Sequence, residues 1–175
     1  VYFNGSREEI RLVAPLPAHG KKSHTIGELV ARLLQFQSRD WEGFDPITLK
    51  QVFKAGIEPD KCFYIQNRLA ILGKERIDLA IDPPPDLAIE VDKTSPTNSV
   101  DFEAIAIPEL WIYRNQQLLI YEFDGEHYQE RDRSLIFPDF PVEELIPEFV
   151  ERAWQAGTSV AIREFEKRLQ DEFQA

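Results

Sequence analysis

The segment Asp86-Leu-Ala-Ile-Glu-Val-Asp92 carries three carboxylates spaced two and four residues apart among apolar side chains. Along a strand, side chains alternate between faces. Leu87, Ile89 and Val91 then form one face, which predicts a buried one. Asp86, Ala88, Glu90 and Asp92 form the other. Carboxylates crowded together raise one another's pKa, and a cation relieves the repulsion. Oxygen donors of this kind suit Mg²⁺. The plain alternative is an antiparallel strand with a solvated acidic face. Asp60 is the second candidate. It follows Pro59 and precedes the apolar run Cys62–Ile65, where an aspartate also serves as an ordinary turn residue.

Other chemistry-bearing residues read more simply. Thr25 and Glu28 have capping-box spacing, which gives Glu28 a helix-start role without any function. His19 and His24 do not have zinc-site spacing, and with His127 they read as surface or capping residues. Cys62 has aromatic neighbours and reads as a buried, inert thiol. Trp111 lies in an apolar run and reads as core. Glycine-rich dinucleotide, P-loop and serine-elbow motifs are absent.

These candidates need elements to hold them. The spacing predicts a strand over Glu9–Val13 and a helix from Thr25 with Ile26, Leu29, Val30, Leu33 and Leu34 on its apolar face. Strands follow at Ile47–Phe53 and Cys62–Ile65, with an extended piece at Arg76–Ile81. A short helix is expected from Asn98 to Ile107, then a hairpin of Leu110–Tyr113 with Leu118–Phe123, and an Asp124-Gly125 turn. The tail reads as two helices, Val142–Gln155 interrupted near Pro147, and Ser159–Phe173. The order implies an α/β (α+β) fold, a mixed sheet flanked by helices.

The chain has 175 residues, enough for one core without staples. Its single cysteine, Cys62, permits no disulfide framework, which fits a reducing, cytoplasmic setting. No apolar run is long enough to span a membrane, so no membrane partner is expected. The net charge of −11 argues against a strongly basic nucleic-acid binder. It leaves room for a metal-dependent nuclease, whose site is itself acidic.

Glu58-Pro-Asp60, the run Cys62–Asn67, Ile77 to Asp92 with its three prolines, Thr94-Ser-Pro-Thr97, and Ile107-Pro-Glu-Leu-Trp111 together resemble the bacterial family of putative restriction endonucleases with the PD-(D/E)XK fold. The resemblance implies an αβββαβ core over residues 1–140, with residues 141–175 as a C-terminal helical extension packed on the same domain. It implies that Asp60 is the motif's first carboxylate and Glu90 its second, with the Val91 carbonyl as third donor to one or two Mg²⁺ or Mn²⁺ ions. Asp86 is an alternative metal ligand on the face of Glu90. The implied activity is metal-dependent DNA endonuclease cleavage, with a homodimer cutting both strands.

The chain departs from that pattern at Asp92, where the catalytic lysine belongs. Lys93 is one residue late and takes the role only if a bulge or the strand's end returns it to the site. Lys54, Lys61 and Lys74 are the other nearby cations. A catalytically inactive nuclease-fold binding or scaffold domain is therefore the alternative, and a plain oligomerisation module a third reading.

Overall fold

The computed structural model describes residues 2–4, 9–11, 16–51, 55–92 and 97–173. The organising element is strand β7, Leu87–Val91, in a six-stranded sheet of order β10-β9-β8-β7-β6-β3. The others are β3 (Glu42–Phe44), β6 (Lys61–Tyr64), β8 (Glu109–Arg114), β9 (Gln117–Phe123) and β10 (Tyr128–Arg131). Only the β7–β8 pair is parallel. The β8–β9 hairpin turns at Asn115 and Gln116, with φ of 51° and 62°. Two successive left-handed residues are what a tight turn matched to strand twist requires.

Leu87, Ile89 and Val91 are buried, as their alternation predicts, in a core with Ile26, Leu29 and Val30 of helix α1 (Pro17–Phe36). A short helix α2 (Arg68–Ile71) follows β6, and helices α3 (Val142–Ala156) and α4 (Thr158–Phe173) complete the helical layer through Leu145, Ile146, Phe149, Phe165 and Leu169. The opposite face of β7 is covered as well. Ala88 is fully buried with Leu110 and Ile112 against Leu49 and Ile57. Those two belong to a small antiparallel sheet of order β2-β1-β5-β4: β1 Tyr2–Asn4, β2 Glu9–Arg11, β4 Leu49–Gln51, β5 Ala55–Ile57. The architecture is thus mixed α+β: a mostly antiparallel mixed sheet flanked by helices. The carboxylate face of β7 is not a solvated surface. No helix among the described residues is long and apolar enough to cross a membrane.

Several local expectations are corrected. Helix α1 begins at Pro17, eight residues before Thr25. Proline at the first helical position has φ preset and no N–H to lose. Thr25 lies mid-helix and its Oγ1 donates to the Lys21 carbonyl at 2.8 Å, so it caps nothing. Glu28 pairs with Arg32 one turn on. Helix α3 runs unbroken through Pro147, because its flanking apolar residues Leu145, Ile146, Phe149 and Val150 are all buried and hold the helix despite the lost hydrogen bond. Residues 76–81 form turns, not an extended piece, closed by the Asp82 N–H on the Asp78 carbonyl and on its far side by a Lys74–Asp82 ion pair. The expected helix after Asn98 is a 3₁₀ turn, Ser99–Phe102, capped by the Asn98 side chain accepting from the Val100 N–H. Residues 12–13 and 52–53 of the expected strands lie outside the described residues. Cys62 is buried, and burial pushes its thiol up to about 12, as an inert core cysteine requires.

Candidate functional site

β6 and β7 pair antiparallel, Lys61 with Ile89 and Cys62 with Ala88. Continuing that register puts Asp60 opposite Glu90 and Pro59 opposite Val91. In the parallel ladder on the other side, the Asp92 N–H donates to the Tyr113 carbonyl, so Val91's own backbone groups point toward β6. Pro59 has no N–H. The Val91 carbonyl therefore receives no ladder hydrogen bond from β6. The Val91 N–H is taken instead by Asp60 Oδ2, at 2.8 Å. Pro59 thus ends the strand, the Asp60 side chain takes the partner backbone N–H, and the Val91 carbonyl beside it has no ladder donor among the described residues.

His19, in the first turn of α1, donates from Nε2 to the same Asp60 Oδ2 at 2.9 Å. Both side chains are 16% exposed. His19 continues the core-facing stripe of α1 (Ser23, Ile26, Val30, Leu33) beyond the sheet's end, where its ring meets a carboxylate. Sequence spacing alone gave it no such role.

Glu90 occupies the face shared with Ala88 and Ile112 and is largely but not fully buried. Its burial, followed by the charges of Asp60 and Asp92, holds its carboxyl well above the usual carboxylate range. Asp60 and Glu90 are therefore electrostatic neighbours at one strand end.

The other candidates are engaged elsewhere. Asp86 is buried at the opposite end of β7, where its Oδ2 accepts from the N–H groups of Ile65 and Asn67 at 2.6 and 3.1 Å. Four residues of strand, roughly 13 Å, separate it from Glu90. It anchors the loop after β6 and does not join the site. Asp92 accepts from Arg114 Nε at 2.7 Å and from the Thr97 N–H and Oγ1. Lys61 points to the helical layer. Its stem passes Gly27 of α1, where an added Cβ would lie 3.2 Å from the lysine Cε, and its ammonium pairs with Asp45. Lys74 is bound to Asp82. Lys93 and Lys54 lie outside the described residues. No group of three His, Cys, Asp or Glu side chains positioned to hold a metal occurs among the described residues. The implied donor set needs only two side chains, because its third oxygen is the Val91 carbonyl.

Against known proteins, a family model described as "Uma2: Putative restriction endonuclease" matches residues 4–157. No curated protein sequence matches the chain. Among solved structures, the crystal structure of a putative nuclease belonging to DUF820 from Anabaena variabilis is similar, with a TM-score of 0.52 and 15% identity over 71% of this chain and 72% of that one. At that identity the likeness concerns the fold.

Proposed function

Because the chain belongs to the Uma2 family of putative restriction endonucleases, we propose that it hydrolyses DNA phosphodiester bonds at the end of β7, with a divalent cation, Mg²⁺ or Mn²⁺, held by Asp60, Glu90 and the Val91 carbonyl. The observation that carries this is the Asp60 carboxylate seated on the Val91 N–H beside Glu90, with the carbonyl of the same residue left open by Pro59. The donor set fits such an ion: two carboxylates and one carbonyl, all hard oxygens, with Glu90 in surroundings that disfavour its charge until a cation is present. When bound, the ion supplies water activation and charge neutralisation at the scissile phosphate.

The chain's own residues do the positioning. His19 and the Val91 N–H share Asp60 Oδ2, which fixes the carboxylate plane and leaves Oδ1 without a donor among the described residues. Asp60 immediately precedes β6 and Glu90 lies on its partner β7, so the Lys61–Ile89 pair next to them sets the separation between their backbones. In the reaction a water oxygen forms the new bond to phosphorus and the ester P–O bond breaks. One water proton ends on the leaving oxygen, and nothing is oxidised or reduced. A homodimer would supply a second such site for the second strand.

One observation favours the alternative, an inactive nuclease-fold binding domain. Asp92 occupies the lysine's place and is closed by Arg114 and Thr97. A cleavage assay separates the readings. With Mg²⁺ or Mn²⁺, the parent should nick or linearise plasmid DNA, and Asp60→Ala should lose at least about 10²-fold of that rate. A parent inactive with both ions on single- and double-stranded DNA contradicts the enzyme reading.

A further inference from the structure

We propose that Arg114 is the cation of this site: with its guanidinium oriented by Asp92, it binds a non-bridging oxygen of the nucleic-acid phosphate that lies at Asp60 and Glu90. The proposal deepens the nuclease reading and rests on it.

The placement follows from the ladder. β7 and β8 pair in parallel, Glu90 with Ile112 and Val91 with Tyr113. One step further pairs Asp92 with Arg114. Alternation puts Glu90, Asp92, Ile112 and Arg114 on one face, and Ile112 does lie in the core cluster of that face. Diagonal neighbours on a sheet face are about 7–8 Å apart, within reach of a long side chain. Arg114 therefore projects from the adjacent strand on the side of the sheet that carries Glu90. Lys61 faces the helical layer and Lys74 is bound to Asp82, so neither of those two cations is so placed.

The contacts of Arg114 also leave it something to offer. Nε donates to Asp92 at 2.7 Å, and Nη2 reaches Asp92 Oδ2 at 2.5 Å and the Thr97 carbonyl at 2.8 Å. Nη1 has no hydrogen-bond partner among the described residues. The Asp92 side chain is 6% exposed while that of Arg114 is 30% exposed, so the acid is the buried partner and the arginine the more accessible one. A planar fork fixed on one edge and open on another suits a phosphate oxygen. The departure at Asp92 then has a consequence: the strand gives up its lysine, and the residue in that place holds an arginine from the neighbouring strand.

The plain alternative is an ion pair that pins two strand ends and the turn at Thr97. A pin affects stability only, whereas a phosphate contact sets the salt dependence of binding. The test measures affinity of the full chain for a short labelled DNA duplex across a KCl series, with Ca²⁺ replacing Mg²⁺ so that cleavage plays no part. Arg114→Gln should flatten the log affinity against log salt slope by about 0.9, the value of one phosphate contact. Arg114→Lys, which keeps the charge, should preserve it. If Arg114→Gln fails to fold because Asp92 is left unpaired, the double variant Asp92→Asn/Arg114→Gln removes both charges together and should show the same loss. With Mg²⁺, Arg114→Gln should slow cleavage by about 10²–10³-fold at unchanged metal affinity.

An unchanged slope in either folded variant overturns the proposal, as does a slope loss found in Lys93→Ala instead. A parent that cleaves while its slope ignores Arg114 sinks the proposal alone. One that binds with an Arg114-dependent slope but never cleaves sinks the nuclease reading alone. A parent that binds no DNA sinks both.

Discussion

Glu90→Gln is expected to abolish cleavage and, at neutral pH in the absence of metal, to make the protein more stable than its parent. The two effects share one cause. Burial and the charges of Asp60 and Asp92 hold the Glu90 carboxyl well above the usual range. The folded chain therefore keeps a proton that the unfolded chain releases. Between the ordinary glutamate value of 4.5 and the raised folded value, the native state binds more protons. Stability must fall as pH rises through that window. Glutamine carries no charge at any pH, so the variant loses the fall. Its advantage above the window should be roughly 1–3 kcal/mol, the scale of relieving an uncompensated buried group. Below pH 4.5 the two proteins should differ little. Cleavage should drop by about 10³-fold or more, since a metal ligand contributes several kcal/mol of transition-state stabilisation. Denaturant titrations from pH 4 to 8 check the first effect. A variant less stable than its parent at pH 8 would contradict the electrostatic account of the site.

Glu109→Ala should have the largest effect on stability. Glu109 begins β8 and is 1% exposed. Its Oε1 accepts from Trp111 Nε1 at 2.5 Å and from Ser134 Oγ at 2.6 Å. Oε2 accepts from the N–H groups of Leu135 and Ile136 at 2.8 and 3.2 Å. One buried carboxyl thus ties the chain after β10 back to the strand beside the site. Removing it takes the acceptor from Trp111 Nε1, Ser134 Oγ and the Leu135 N–H, while the Ile136 N–H keeps Ser134 Oγ. A loss of about 3–5 kcal/mol is expected, with Glu109→Gln retaining part of it because an amide oxygen still accepts. Chemical denaturation of the two variants measures this. A loss under about 1 kcal/mol for the alanine variant would mean that water replaces the carboxyl.

Much of the candidate site is legible in the sequence. The alternation in Asp86–Asp92 identified the strand, its buried face and Glu90, because period-two patterning is a local property of the chain. Asp60 was legible as a site candidate through the family resemblance, since an aspartate after Pro59 at a strand mouth reads equally well as a turn residue. What stayed hidden depended on registers and layers. Asp86 and Glu90 look equivalent along the strand, yet Asp86 meets the free N–H groups of Ile65 and Asn67 and is used up there. His19 and Arg114 read as surface and turn residues, since only the packing of α1 and the parallel pairing of β8 bring them to Asp60 and Asp92. The second layer was also obscured. Its strands β4 and β5 are three residues each, too short to show a period, and they turn what reads as a solvated acidic face into a buried one.

The central claim is that Asp60 and Glu90 hold one cation together. Calorimetric titration of Mn²⁺ into the parent, Asp60→Asn, Glu90→Gln and the double variant, in two buffers of different ionisation enthalpy, tests it most directly. The parent should bind, and at a pH between 4.5 and the raised Glu90 value it should do so with proton release, because Glu90 gives up its proton to become a ligand. Each single variant should lose that binding, and the double variant should lose nothing further, as two ligands of one ion require. Binding that survives both single substitutions, or a parent that takes up no metal, would contradict the claim.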